Sequence, residues 1–465
     1  MALKDSLNEE QKAAYDKILS TVDTDSGEVF FVDGPGGTGK TYLYKALLAT
    51  LRSQDKIDVA TATSGVAASI MPGGRTAHSR FKIPLNIDDG ASGTAKLLHK
   101  ASLIIWDEAS MTKRQAVEAL DNSLRDIMDR PRLLFGGKTV VFGSDFRQVL
   151  PVVRKGTRAQ IVAASLRKSY LWESMIHLKL FHNMRAQSDP WFADYLLRIG
   201  GGTEETNSES EIHLLDDVCV PYTGSDCDLD GLIDHIFPML DENMSNPSYI
   251  TSRAILGEQM VYHSFDFAFD DPHNYYTPEF LNTLTRNGLP PHILKLKIGC
   301  PVILLRNIDP ANGLCNDTRL VVRGFQRNSI DAEIVIGQHA GKRIFVPRIP
   351  LCFSDDEMFP FQFKRKQFPV RLSFAMTVNK AQGQTIPNVG VYLPKPVFSH
   401  GQLYVALSIA TSRTNIKILV IPATDDNNKK TKKKGLKKSS VINDGIYTKN
   451  IVYKEETEDD QDVIV

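Results

Sequence analysis

The chain has 465 residues, 42% of them hydrophobic, which leaves room for roughly two to four domains with cores of ordinary size. Its 55 basic and 55 acidic residues cancel, so no global field draws it to nucleic acid or to an anionic membrane, and any basic binding surface must be local. The five scattered cysteines contain no C-x-x-C pair, which argues against a zinc site or disulfide framework, and neither a signal core nor a run of about 18 apolar residues is present, so a soluble intracellular protein is expected.

The first predicted element is a helix from Leu7 to about Leu19. Asn8 suits its N-cap, and Gln11 sits where a capping side chain reaches back. The same glutamine also suits a contact to the edge of an adenine base. Residues 28–33 read as an apolar strand, and Gly34-Pro35-Gly36-Gly37-Thr38-Gly39-Lys40-Thr41 follows at once. Leu43, Ala46, Leu47 and Leu51 then recur at helical spacing. Strand, glycine loop and helix in this order form a P-loop, whose backbone N–H groups cradle phosphates at a helix N-terminus. Lys40 would reach the β- and γ-phosphates, and the Thr41 hydroxyl would ligate Mg²⁺.

A second strand is expected over 57–63, then a small-residue helix entry at 64–68. Residues 72–81 form a polar loop in which Arg75, Thr76, His78 and Phe81 mix phosphate-gripping and base-stacking types. An ordinary surface loop has the same composition. Residues 102–108 are a buried-type strand ending in Asp107-Glu108, the Walker B pattern: Asp107 for Mg²⁺, Glu108 for the attacking water. The stripe Ala116, Val117, Leu120, Leu124, Ile127, Met128 marks a helix that packs on the core. A further strand over 138–143 runs into Ser144-Asp145-Phe146-Arg147-Gln148-Val149-Leu150-Pro151. Gln148 there is a candidate γ-phosphate sensor or simply a loop residue. Strands alternating with helices predict a parallel sheet covered on both faces.

Beyond residue 165 the pattern predicts a short strand at 177–180, helices near 191–199 and 231–246, and a strand at 248–252. From 295 to 348 short β-rich runs punctuated by Gly and Asn/Asp turns predict a small β-barrel-like insertion. Residues 373–385 carry a dense polar face, 402–408 a helix and 416–421 a last strand. The tail is lysine-rich over 429–438 and acidic over 455–462, and such blocks are usually disordered. A nuclear address, a backbone-binding arm and a merely solvated tail all fit the lysines.

With both Walker motifs, the 143–151 stretch, Asn183-Met184-Arg185 and Thr377–Thr385 taken together, the chain from Leu7 to Ile421 resembles the PIF-type (petite integration frequency) superfamily-one DNA helicases. It looks most like the members found in Helitron-type plant elements. The resemblance implies an α/β fold of two RecA-like P-loop NTPase domains with parallel sheets. The first would span 1–165 and the second 166–294 with 371–421. A small SH3-like β-barrel would fill 295–370, and 422–465 would be a charged tail. It implies ATP and Mg²⁺ as cofactors. Its partners would be single-stranded DNA and forked or tailed duplexes. The activity would be 5′→3′ translocation in a nuclear setting of repair, recombination or telomere maintenance.

By the same resemblance Gln11 reads adenine, and Gly34 to Thr41 hold the phosphates and Mg²⁺. Asp107 and Glu108 form the Walker B pair, Gln148 senses the γ-phosphate, and Arg185 reaches it from the second domain. Thr76, His78 and Phe81 grip the DNA strand. Thr377, Asn379, Lys380 and Gln382 couple DNA to the nucleotide cleft. Two departures stand out. Ile409 occupies the family's second arginine finger, with Arg413 four residues on as a possible substitute. The chain between Gly257 and Tyr262 is also shorter than the family pattern. Two rival readings follow: a decayed relative that binds ATP and DNA with weak turnover, and a protein-remodelling ATPase.

Overall fold

The computed structural model describes residues 2–81, 93–207, 211–224, 228–236, 238, 259–268, 276–284, 289–297, 300–326, 328–335, 339–352, 363–372, 378, 382–393, 395–421 and 446–457. The first lobe is built on six parallel strands: β1 (Val29–Asp33), β2 (Ile57–Ala62), β3 (Arg75–Thr76), β4 (Ala101–Asp107), β5 (Thr139–Ser144) and β6 (Ile176–Lys179). Their order across the sheet is β3-β2-β4-β5-β1-β6. The central strands are apolar runs because helices cover both faces of the sheet. Period-two alternation sends Phe31, Trp106 and Phe142 to one core and Phe30, Ile105 and Val141 to the other. Helix Glu9–Thr24 starts at the expected capping box, Asn8 with Gln11.

The first lobe extends past the expected boundary at 165, because β6 pairs with β1 in register Phe30↔Ile176 to Asp33↔Lys179. As an edge strand, β6 alternates half-buried and exposed residues. It therefore lacks the continuous apolar run that marks β1, β4 and β5.

The second lobe packs helices Pro190–Gly201 and Gln402–Ser408 on the parallel pair Val389–Leu393 and Ile416–Val420. The expected strand at 248–252, residues 257 and 258 of the stretch shortened against the family and the lysine run at 429–438 lie outside the described residues, as do residue 237 and residues 239–246 of the expected 231–246 helix.

The β-rich part is larger than 295–370. Gln259–His263 pairs with Ile293–Lys297, and Phe265–Ala268 pairs with Phe363–Gln367. Tyr262 lies in the same core as Leu294, Val302 and Val346. A five-stranded antiparallel sheet, ordered Arg343–Pro347, Ser329–Ile334, Arg319–Phe325, Pro301–Leu304, Val370–Leu372, forms its main layer. The expected boundary falls too late because the strands at 259–268 have no local partner, and pairings of long sequence separation leave no local pattern to read.

The chain end is also more ordered than a charged tail. Tyr447–Lys449 pairs antiparallel with Glu211–His213, and Tyr453 joins the first lobe's core. The fully buried Glu456 accepts a 2.6 Å hydrogen bond from Ser165 Oγ. Ile446, Ile451 and Tyr453 are the apolar anchors that the neighbouring charges obscure. Among the described residues no helix is long and apolar enough to cross a membrane.

Candidate nucleotide-binding cleft

Between the lobes lies a cleft of 510 Å³ lined by residues 36–42, Asp107, Glu108, Asp145, Gln148, Arg185 and Gly383. Its floor is the loop between β1 and helix Lys40–Ser53. Gly37 and Gly39 take φ of 98° and 81°, a backbone region that favours glycine. They are also crowded: a Cβ on Gly37 would meet Asn183 Oδ1 at 2.6 Å, and one on Gly39 would meet Gln11 Nε2. Lys40 Nζ donates within the loop, to the carbonyl of Gly34 and at 3.4 Å to that of Pro35.

Gln11 forms the expected cap and also reaches the loop. Its Oε1 accepts from Asn8 N–H at 3.1 Å, completing the cap, while its buried Nε2 donates to Thr38 O at 3.0 Å. The adenine-reading candidate is thus anchored to the loop itself.

The Walker pair sits at the end of β4. Asp107 Oδ1 accepts from the Glu108 N–H at 2.9 Å. Glu108 adopts φ 55°, ψ 39°, a left-handed conformation that costs a non-glycine residue energy. Its Oε2 is buried with no hydrogen-bond partner among the described residues. Burial first, and the Asp107 charge second, push the Glu108 carboxyl up to about 7. Burial likewise raises Asp107, against the pull of Lys40. Gly383, at φ 74°, lies against this carboxylate, where a Cβ would come within 2.6 Å of Glu108 Oε1. Gln382 is buried beside it, with Oε1 unpartnered among the described residues. That end of the 377–385 motif therefore reaches the cleft; Thr377, Asn379 and Lys380 lie outside the described residues.

The segment after β6 closes the other side. Asn183 Nδ2 donates to Gly36 O at 3.4 Å, and Met184 N–H donates to Gly37 O at 2.8 Å. Arg185 enters the cleft with one hydrogen bond, from Nη1 to Ser408 O at 2.6 Å. Among the described residues it forms no ion pair, and burial lowers its pKa. Among the described residues it is the only arginine that lines the cleft.

Two expected site residues are corrected, Arg413 and Phe81, and the departure at Ile409 is located. Arg413 does not line the cleft: it pairs with Asp189 at 3.4 Å and lies 5.3 Å above the Trp191 ring. Ile409 is buried in the second lobe's core, an apolar side chain in an apolar setting. Phe81 is fully buried 5.4 Å from Trp106, so no ring face is open to a base. An aromatic on a five-residue helix beside the sheet gains more from the core than from solvent. Phe81→Ala is expected to cost about 3–5 kcal/mol of unfolding free energy, read from a denaturant titration. A loss well under about 1 kcal/mol would contradict the packing role. Thr76 is mostly buried, its Oγ1 accepting from Ser79 N–H at 3.4 Å, and His78 is the exposed member of the trio.

Sequence reasoning assigns no role to Asp145 or Tyr404, which meet beside Gln148. Tyr404 reads as one more apolar position of a core helix, so only the fold brings it to the loop.

The family described as PIF1-like helicase matches residues 6–210, and the 2B domain of the DNA helicase Pif1 matches residues 279–325. The chain is similar to ATP-dependent DNA helicase PIF1 of Danio rerio, 28% identical over 89% of this chain and 61% of that protein. It is 28% identical to PIF1 of Homo sapiens over 90% of this chain and 61% of that one, and to Pif1 of Bdellovibrio bacteriovorus over 89% and 88%. The chain thus spans about three fifths of the length of the first two. Among solved structures it resembles Pif1 helicases unwinding forked double-stranded DNA (TM-score 0.63, 23% identity, 89% and 92% of the two chains). It also resembles Bacteroides Pif1 with ADP-AlF3 and single-stranded DNA (TM-score 0.61, 23% identity, 88% and 94%). With the six-stranded parallel sheet, these likenesses establish an α/β RecA-like helicase fold.

Proposed function

We propose that this chain belongs with the PIF1-like helicases, which it resembles over residues 6–210 and 279–325, and is an ATP-dependent DNA helicase that moves 5′→3′ on single-stranded DNA. The observation that carries the reading is Arg185. A half-buried guanidinium with no counter-ion among the described residues, facing a P-loop from another segment, is arranged to receive an anion, and a γ-phosphate there would draw the lobes together. Gln148 would read the same phosphate, and Glu108 would hold the attacking water and take its proton. Hydrolysis removes the anion and lets the cleft relax.

Thr41 and Asp107 suit Mg²⁺, which binds through one or two protein oxygens together with substrate phosphates rather than in an all-protein cage. Among the described residues no cluster of three or more acidic, His or Cys side chains offers such a cage. The ion would supply charge neutralisation on the phosphates.

His78, Asn379, Lys380 and Gln382 are the proposed DNA contacts, with Thr76 and Thr377 beside them. Such contacts go mainly to phosphates and stacked bases, so binding is expected to weaken steeply with salt. The β-rich part would be the SH3-like element, the pattern would resemble the Helitron-type plant members, and the nucleus would be the setting for repair, recombination or telomere work.

The test is strand separation on 5′-tailed and 3′-tailed duplexes. Only the 5′-tailed substrate is expected to open, and Lys40→Ala should open neither. Equal opening of both tails contradicts the direction, and an active Lys40→Ala contradicts the site. Ile409 in the core and Arg413 outside the cleft favour one rival, a relative that binds ATP and DNA but turns over weakly. An ATPase rate that single-stranded DNA does not raise would support that rival.

A further inference from the structure

One carboxylate oxygen gathers the nucleotide loop, the sensor and the second lobe. Asp145 Oδ2 accepts from Gly36 N–H at 3.0 Å, from Gln148 Nε2 at 3.3 Å and from the Tyr404 hydroxyl at 2.9 Å. Gly36 N–H also points at the Tyr404 oxygen, 2.9 Å away. The other oxygen, Oδ1, is held separately by the Arg147 N–H at 3.0 Å and its guanidinium at 3.4 Å. Asp145 and Tyr404 are both buried. Tyr404 comes from helix Gln402–Ser408 of the second lobe, the helix whose Ser408 carbonyl receives Arg185. Its ring is wedged so tightly that a Cβ on Gly200 would come within 2.9 Å of it.

We propose that Tyr404 is a positioning residue through which the second lobe tells a triphosphate from a diphosphate. The inference rests on the reading that loop 34–41 binds ATP. A γ-phosphate would compete for two of the three donors on Asp145 Oδ2, the Gly36 amide and the Gln148 side chain. The Tyr404 hydroxyl is then the donor that remains, and it holds a buried carboxylate oxygen beside a second anion. Without that hydroxyl the oxygen has no donor in the triphosphate state, yet keeps two in the empty or diphosphate state. Leaving a buried acceptor unsatisfied is more costly than thinning a shared set of bonds. The loss therefore falls on ATP and spares ADP.

The test is Tyr404→Phe in the full chain, which keeps the ring and removes only the hydroxyl. Affinities for Mg²⁺–ADP and for the Mg²⁺ complex of the β,γ-imido analogue of ATP are measured by calorimetry. The analogue is expected to bind at least about fivefold more weakly, with ADP within about twofold of wild type. In an Asp145→Asn background, where the anion to be satisfied is gone, Tyr404→Phe should add little to the analogue-specific loss. Equal weakening of both nucleotides, no weakening of either, or the same analogue-specific loss in the Asp145→Asn background would each overturn the proposal. Should the wild-type chain bind neither nucleotide, the ATP-site reading itself falls; should it bind both with no split in Tyr404→Phe, only the role of Tyr404 falls.

Discussion

Arg185→Ala is expected to lower DNA-stimulated ATP turnover by about three orders of magnitude or more, the scale of loss when an arginine finger is removed. Three observations leave no second arginine among the described residues to compensate. Among the described residues Arg185 is the only arginine lining the cleft. The position where the family resemblance places a second finger holds Ile409, buried among apolar side chains. Arg413, four residues further and past the end of helix Gln402–Ser408, is engaged by Asp189 and by the face of Trp191. The same substitution should leave the nucleotide-free protein no less stable, because it removes a half-buried cation held, among the described residues, by one carbonyl and no counter-ion. Single-turnover hydrolysis with saturating single-stranded DNA, beside a thermal melt, separates the two roles. A large fall in melting temperature with turnover intact would make Arg185 a structural residue. Arg185→Lys should recover only part of the rate, since an ammonium lacks the planar fork that spans two phosphate oxygens.

What can be read from the sequence follows how local each signal is. The phosphate loop needs glycines at fixed offsets between a strand and a helix, so 34–41 is legible from the letters alone, and Asp107-Glu108 is legible as the end of a buried strand. Gln11 is legible as a cap, because that role depends on one helix start, whereas its bond to Thr38 O is not. Arg185 enters by family resemblance, since no local rule marks an arginine in a loop. Phe81 misleads because composition cannot tell an aromatic aimed at a base from one aimed at Trp106. The reach of the first sheet to β6, the start of the β-rich part at Gln259 and the anchoring of 446–457 escape the sequence for one reason. Each is a pairing between distant segments, and a strand without a local partner looks like a loop. The Tyr404–Asp145 contact belongs to the same class: 259 residues separate its ends.

Glu108→Gln is expected to reduce turnover by about 10²–10⁴-fold while leaving ATP binding in place, the signature of a lost general base. It should also change how stability depends on pH. In the folded chain the Glu108 carboxyl is pushed up to about 7, from an ordinary value of 4.5, chiefly by burial. A carboxyl that holds its proton more tightly when folded favours the native state at low pH and opposes it once ionised. The native state therefore loses stability as pH rises from about 4.5 to about 7, and the loss is complete above that. At about 1.36 kcal/mol per unit the shift amounts to about 3 kcal/mol. Denaturant titrations of the wild-type chain at about pH 5 and about pH 8, free of nucleotide and divalent metal, should show that decline, and Glu108→Gln should show far less of it. A variant whose stability falls between those pH values as steeply as the wild type's would mean that Glu108 is not the group resisting ionisation. The left-handed backbone at Glu108 and its unpartnered oxygen then have one explanation together with the raised pKa. The fold holds a carboxylate where it is costly to be charged, and the same high proton affinity equips it to take a proton from water at the moment of attack.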